Sequence, residues 1–90
     1  MEQLLDVSEL EPPEPLERIL ESVKDLWQGQ YLHVRHRREP LLLYPLLEKM
    51  ALNQDTCCDA HGTYHIVIWR EGDLSAEAEA RQAVSECCKT

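Results

Sequence analysis

Leu16, Ile19, Leu20, Val23, Leu26 and Trp27 recur at steps of three and four residues, while Glu17, Arg18, Glu21, Ser22, Lys24 and Asp25 fall between them. That period belongs to an α-helix with one apolar face, and such a face has to be covered by something. A chain of 90 residues can build only one core, so the cover must come from the flanking segments. Both flanks read as strands. Gln3 to Val7 is a short apolar run. Tyr31 to His36 (YLHVRH) alternates strictly, with Leu32 and Val34 on one side and Tyr31, His33 and Arg35 on the other.

Pro12, Pro13 and Pro15 crowd the passage from the first strand into the helix. Proline fits a first helical turn, where its missing N–H would have no intrahelical partner, and Glu14 and Glu17 suit the positive end of the helix dipole. Gln28-Gly29-Gln30 ends the helix. Leu43, Leu46, Leu47 and Met50 then repeat at helical spacing within the leucine-rich stretch Pro40 to Leu52. They predict a second helix starting near Leu41, with Pro45 in its first turn. Asn53 to Ala60 predicts a strand, His61-Gly62 a hairpin turn, and Thr63 to Arg70 (TYHIVIWR) a strand rich in β-branched and aromatic residues.

The order β-α-β-α-β-β predicts an α+β fold: a two-layer α/β sandwich in which two helices cover one face of a four-stranded mixed sheet. Residues 1–71 form this domain. Residues 72–90 turn to Ala, Glu and Gln and read as an acidic, partly helical tail, with Ser75 placed to cap a short helix through Val84. The apolar face of that helix is mostly alanine and would bury little surface.

Nine Lys and Arg against seventeen Asp and Glu give a net charge of −8, which repels polyphosphate and disfavours nucleic acid as a partner. No apolar run approaches the roughly 18 residues needed to span a membrane. The acidic start MEQLLDVSELE lacks the pattern of a signal peptide, which predicts a cytoplasmic chain with reduced thiols. The cysteines form two adjacent pairs, Cys57-Cys58 and Cys87-Cys88, and neighbours in sequence seldom bridge each other.

The segment Asp6-Val7-Ser8-Glu9-Leu10-Glu11-Pro12-Pro13-Glu14-Pro15-Leu16 resembles the signature of the TusA/SirA-like sulfur-carrier superfamily. That signature reads Asp, two variable residues, Gly, Leu, a variable residue, then Cys-Pro-x-Pro. The family's glycine is Glu9 here, and its nucleophilic cysteine falls on Pro12, which has no nucleophile. The chain is similar to an uncharacterised bacterial branch, a domain of unknown function in which Glu-Pro-Pro-Glu-Pro replaces the cysteine motif. It resembles that branch also at Gly29, at His36-Arg37-Arg38-Glu39-Pro40-Leu41 and at Trp69-Arg70. The resemblance implies a sheet with the second and fourth strands adjacent, a redox or nitrogen-oxide-related setting, and a hemerythrin-like or other redox protein as partner.

Three groups of residues could carry function. His36, Arg37, Arg38, Glu39 and Pro40 form a basic turn before the second helix, suited to an anion or a partner's carboxylate, or simply to pairing with nearby acids. Tyr31, His33, Arg35, His65 and Trp69 would share the sheet face away from the helices, as a partner or dimer surface or as a face covered by the tail. Cys57, Cys58, Cys87 and Cys88 are candidate thiols for sulfur or redox carriage, or, with His61, for zinc or copper. No catalytic residue and no resident cofactor is expected. The function expected is a non-enzymatic binding or regulatory module, monomeric or weakly dimeric. A persulfide or redox carrier is the alternative, and a metal-binding protein the second.

Overall fold

The computed structural model describes residues 1–88. The elements run β1 (Glu2–Asp6), α1 (Glu14–Val23), β2 (Tyr31–His36), α2 (Leu43–Lys49), β3 (Leu52–Cys58), β4 (Tyr64–Arg70) and α3 (Leu74–Cys87). The four strands form one mixed sheet in the order β1-β2-β4-β3, with β1 parallel to β2 and the other neighbours antiparallel. β4 is central, as its near-continuous apolar sequence requires. No helix among the described residues is long and apolar enough to cross a membrane.

α1 and α2 lie on one face. Ile19, Val23, Leu43 and Leu47 pack there with Val7, Leu32, Val34, Ile66 and Ile68, so the inward residues of β2 and β4 are those the alternation predicts. α1 is shorter than its apolar period. Its last turn tightens, with Asp25 and Leu26 N–H donating to the carbonyls of Ser22 and Val23 at 3.2 and 3.3 Å. This carries Leu26 into the core and leaves Trp27 74% exposed, outside the buried face that its spacing suggested. α2 starts at Leu43, two residues later than expected, and Leu41 and Leu42 remain exposed in the preceding turn.

Of the two arrangements that the sequence leaves open for the other face, a free surface or one covered by the C-terminal segment, the covered one holds. α3 packs across it, and Ala76, Ala80 and Ala83 meet Tyr31, Val67 and Trp69 in a second buried cluster. An alanine stripe can serve here because small side chains let the helix backbone approach bulky aromatic partners, which supply the buried area themselves. Trp69 is fully buried, and the Arg81 guanidinium lies 5.2 Å from the centre of its ring.

Asp73, rather than Ser75, caps α3. Its Oδ1 accepts from Ala76 N–H at 3.1 Å, and its Oδ2 accepts from Gly29 N–H at 2.7 Å. Gly29 has a positive φ of 83°, a conformation that glycine adopts without a Cβ clash. The Gly29 and Ala76 bonds hold the Asp73 carboxyl below its ordinary value. A depressed carboxyl stabilises the fold above its unfolded pKa and loses that contribution as pH falls through the folded value. Asp73→Ala should therefore lower the thermal midpoint at neutral pH, and by less in acid. Asp73→Asn, which still caps, should lower it less than Asp73→Ala. Melting curves at the two pH values check this.

Candidate functional site

The β1–α1 turn begins with Asp6, whose Oδ1 accepts from Ser8 N–H and Oγ at 2.9 and 2.6 Å. It ends with the cis Pro12–Pro13 peptide, and Pro15 is buried in the first turn of α1. The β2–α2 turn begins at His36, whose Nδ1 accepts from Arg38 N–H at 3.1 Å. Burial pushes the His36 pKa down, and the charges of Arg37 and Arg38 add to that. The two turns meet. Arg37 Nη2 lies 3.1 Å from Glu11 Oε1, and a groove of about 310 Å³ runs between the turns, lined by Pro12, Pro13, Leu16, His36, Leu42 and Leu43.

This geometry alters the reading of the His36–Pro40 patch. The turn does not open directly onto a helix start, because α2 has only 7 residues and begins at Leu43. Arg37 is engaged by Glu11, while Arg38 makes no ion pair among the described residues. What remains is a mainly apolar groove with the exposed Arg38 and Glu39 at its rim. Pro12, Pro13, Glu14 and Pro15, considered separately in sequence, belong to the same place.

Of the five residues expected to share this sheet face, only Arg35 is exposed. Tyr31, His33, His65 and Trp69 lie beneath α3. They make a different arrangement there. Tyr31 OH donates to Glu2 Oε2 at 2.8 Å, and His33 Nδ1 lies 3.0 Å from the same oxygen. His33 Nε2 lies 2.9 Å from His65 Nδ1, and His65 Nε2 lies 2.8 Å from Asp59 Oδ2. A continuous polar chain, Tyr31–Glu2–His33–His65–Asp59, thus crosses the covered face.

Register explains it. β1 pairs Glu2 with Tyr31 and β2 pairs Arg35 with His65, so residues on one face of three strands fall in line. Asp59 comes from the β3–β4 turn, where its Oδ1 accepts from the N–H groups of His61 and Thr63 at 2.8 and 3.0 Å. The His65 hydrogen bond and these backbone bonds hold the Asp59 carboxyl down at about 2. Burial pushes Glu2 up, but the Tyr31 and His33 hydrogen bonds more than offset it. Burial, with Glu2 beside it, pushes the Tyr31 phenol well up.

The cysteines divide. Cys57 on β3 and Cys88 after α3 are joined in a disulfide with a Cα–Cα distance of 6.2 Å, so the expected uniformly reduced state is corrected. Docking of α3 brings its end to β3, a proximity that sequence spacing does not reveal. Cys58 is an exposed free thiol. Cys87 is free, with Sγ 3.9 Å from His33 Nε2, and burial pushes its pKa up, which makes it a weak nucleophile as the thiol. The ligand set expected from the four cysteines and His61 is not assembled: Cys57 and Cys88 are bonded, and His61 is exposed in the turn.

Glu2 and Asp59 had escaped the sequence reading. Asp59 carried a signal, since Asp-Ala-His-Gly is turn chemistry in which an Asp side chain binds backbone N–H groups. Glu2 carried none beyond its phase in β1.

The model of the DUF2249 family, described as an uncharacterized conserved protein, matches residues 4–70. No curated protein and no solved structure matches the chain. The matched segment contains the whole groove and the paired histidines His33 and His65, and it ends before α3. The chain therefore belongs to the DUF2249 family.

Proposed function

We propose that this chain is a non-enzymatic binding module that seats an apolar segment of a partner protein in the groove between its two turns. Arg38 at the rim would receive a carboxylate of that segment. The observation behind this reading is that the Glu-Pro-Pro-Glu-Pro turn and the His36–Pro40 turn, far apart in sequence, line one groove inside the matched segment. A mainly apolar concavity with a few polar groups at its edge suits recognition. Chemistry is a poorer fit, because Pro12 stands where the sulfur carriers it resembles have a cysteine. We further read the β1–β4 arrangement as sulfur-carrier-like, with its helix entry retained and its nucleophile gone. The partner class that this resemblance implies is a hemerythrin-like or other redox protein.

A photo-crosslinking residue placed at Leu42 in cells of the source organism tests the reading, with the same residue at exposed Glu21 as control. A discrete adduct from Leu42 alone is expected. Leu42→Asp and Arg38→Glu should each weaken binding to the adduct protein by about tenfold or more, the scale of losing an interface anchor. Leu42 is 77% exposed, so Leu42→Asp should shift stability by no more than about 0.5 kcal/mol. No adduct at Leu42, or the same adducts from both positions, would reject the groove as the working surface.

A further inference from the structure

Two carboxylates occupy the outer edges of the buried imidazole rings and leave the inner edges facing each other. Glu2 Oε2 lies 3.0 Å from His33 Nδ1, and Asp59 Oδ2 lies 2.8 Å from His65 Nε2. An ionised carboxylate only accepts, so each outer ring nitrogen carries the N–H. Neither carboxylate is free to turn away. Glu2 Oε2 also accepts from Tyr31 OH, and Asp59 Oδ1 takes the N–H groups of His61 and Thr63.

In neutral rings the inner nitrogens, His33 Nε2 and His65 Nδ1, then present lone pairs to each other at 2.9 Å. Two lone pairs at that separation repel. The arrangement calls for a positive charge between them, supplied by a shared proton or by a cation. A third donor points to the cation, because Cys87 Sγ lies 3.9 Å from His33 Nε2 and all three ligand atoms fall within 4.8 Å of one another.

We propose that His33 Nε2, His65 Nδ1 and Cys87 Sγ form a binding site for one divalent cation of the zinc class, with a fourth coordination position open. Two imidazoles and one thiolate suit zinc and its neighbours and are poor ligands for calcium or magnesium, which take oxygen. Glu2 and Asp59 serve as the outer carboxylates that fix ring orientation and raise ligand basicity, the usual support of a metal-bound histidine. A tetrahedral cation needs roughly 3.4 Å between nitrogens and roughly 3.6 Å between nitrogen and sulfur. The observed 2.9 and 3.9 Å lie about half an ångström or less from those values, and side-chain rotation has to bring the third pair, His65 and Cys87, from within 4.8 Å to the same separation.

Binding expels the Cys87 thiol proton, and any proton shared by the rings, to solvent; no electron moves. The Cys57–Cys88 disulfide contributes by placement, since it anchors the residue next to Cys87 and removes Cys88 from the ligand set. The sheet of the matched segment thus supplies both nitrogens, and the third helix, beyond that segment, supplies the sulfur. The site is separate from the groove and does not depend on a partner there.

The test is titration of the full chain, disulfide intact, with Zn²⁺ and with Co²⁺. One Zn²⁺ per chain by native mass spectrometry, release of protons, and a tetrahedral Co²⁺ spectrum with a thiolate charge-transfer band are expected. Cys87→Ser should abolish the charge-transfer band and Cys58→Ser should leave it unchanged. Glu2→Gln should weaken Zn²⁺ binding about 10- to 100-fold. No Co²⁺ band, or a band that survives Cys87→Ser, would overturn the assignment. Should Cys87→Ser disturb α3, the ring nitrogens of the unaltered chain decide: Zn²⁺ should shift His33 Nε2 and His65 Nδ1 in nitrogen NMR, and unshifted signals would overturn it.

Discussion

Trp69→Ala should lower the free energy of unfolding by about 3–5 kcal/mol, the range for truncating a fully buried large aromatic. Trp69 has no exposed surface and lies between β4 and the alanine face of α3. Its neighbours Ala76, Ala80 and Ala83 are too small to fill the space that its ring would leave. The Arg81 guanidinium would also lose its ring, though it would keep Glu77 at 2.9 Å and Asp55 at 3.7 Å. Such a loss is a large part of the roughly 5–15 kcal/mol that holds a domain together. Trp69→Phe should cost much less. It keeps an aromatic ring and removes an indole N–H that has no hydrogen-bond partner among the described residues. Urea denaturation of the three proteins checks both statements.

Reducing the Cys57–Cys88 disulfide should cost about 3–4 kcal/mol. The bond closes a loop across a sequence separation of 31, and the chain-entropy estimate for a loop of that length falls in this range. The effect acts mainly on the unfolded chain, which regains freedom once the bond is cut. In the native state it falls on the far end of α3, because β3 and β4 remain paired without the bond. Cys57→Ser and Cys88→Ser should each lower the urea midpoint as much as reductant does, and reductant should then add nothing. A midpoint indifferent to reductant in the unaltered protein would contradict this.

The two histidines show how far sequence carried the reading. Strict alternation placed His33 and His65 on one face of the sheet, and the resemblance made β2 and β4 neighbours; both statements hold. What alternation cannot supply is the cover. Alanine carries little hydrophobic signal, so α3 read as a tail, although its stripe fits against Trp69, Val67 and Tyr31. With the docking of this segment left open, the Cys57–Cys88 contact and the approach of Cys87 to His33 are out of reach of the sequence, since each depends on the docked helix.

Short-range misreadings have local causes. Trp27 follows the apolar period, but the tightened turn after Val23 breaks the phase and sends it outward. The leucine-rich stretch suggests a helix from near Leu41, yet α2 begins at Leu43, and Leu41 and Leu42 face solvent in the turn before it. The groove was legible as two motifs and not as one surface. The Arg37–Glu11 pair and the shared lining are contacts between turns that no local pattern encodes.

Tryptophan fluorescence reports whether α3 closes the sheet over the buried aromatic and histidine residues. The chain has two tryptophans, of which Trp27 is 74% exposed and Trp69 is fully buried. Trp27→Phe leaves Trp69 as the sole reporter without touching the core. With α3 docked, Trp69 should emit at a blue-shifted wavelength that iodide scarcely quenches, in the full chain with its disulfide intact. A red-shifted emission quenched as freely as that of Trp27 would show the face open and α3 undocked.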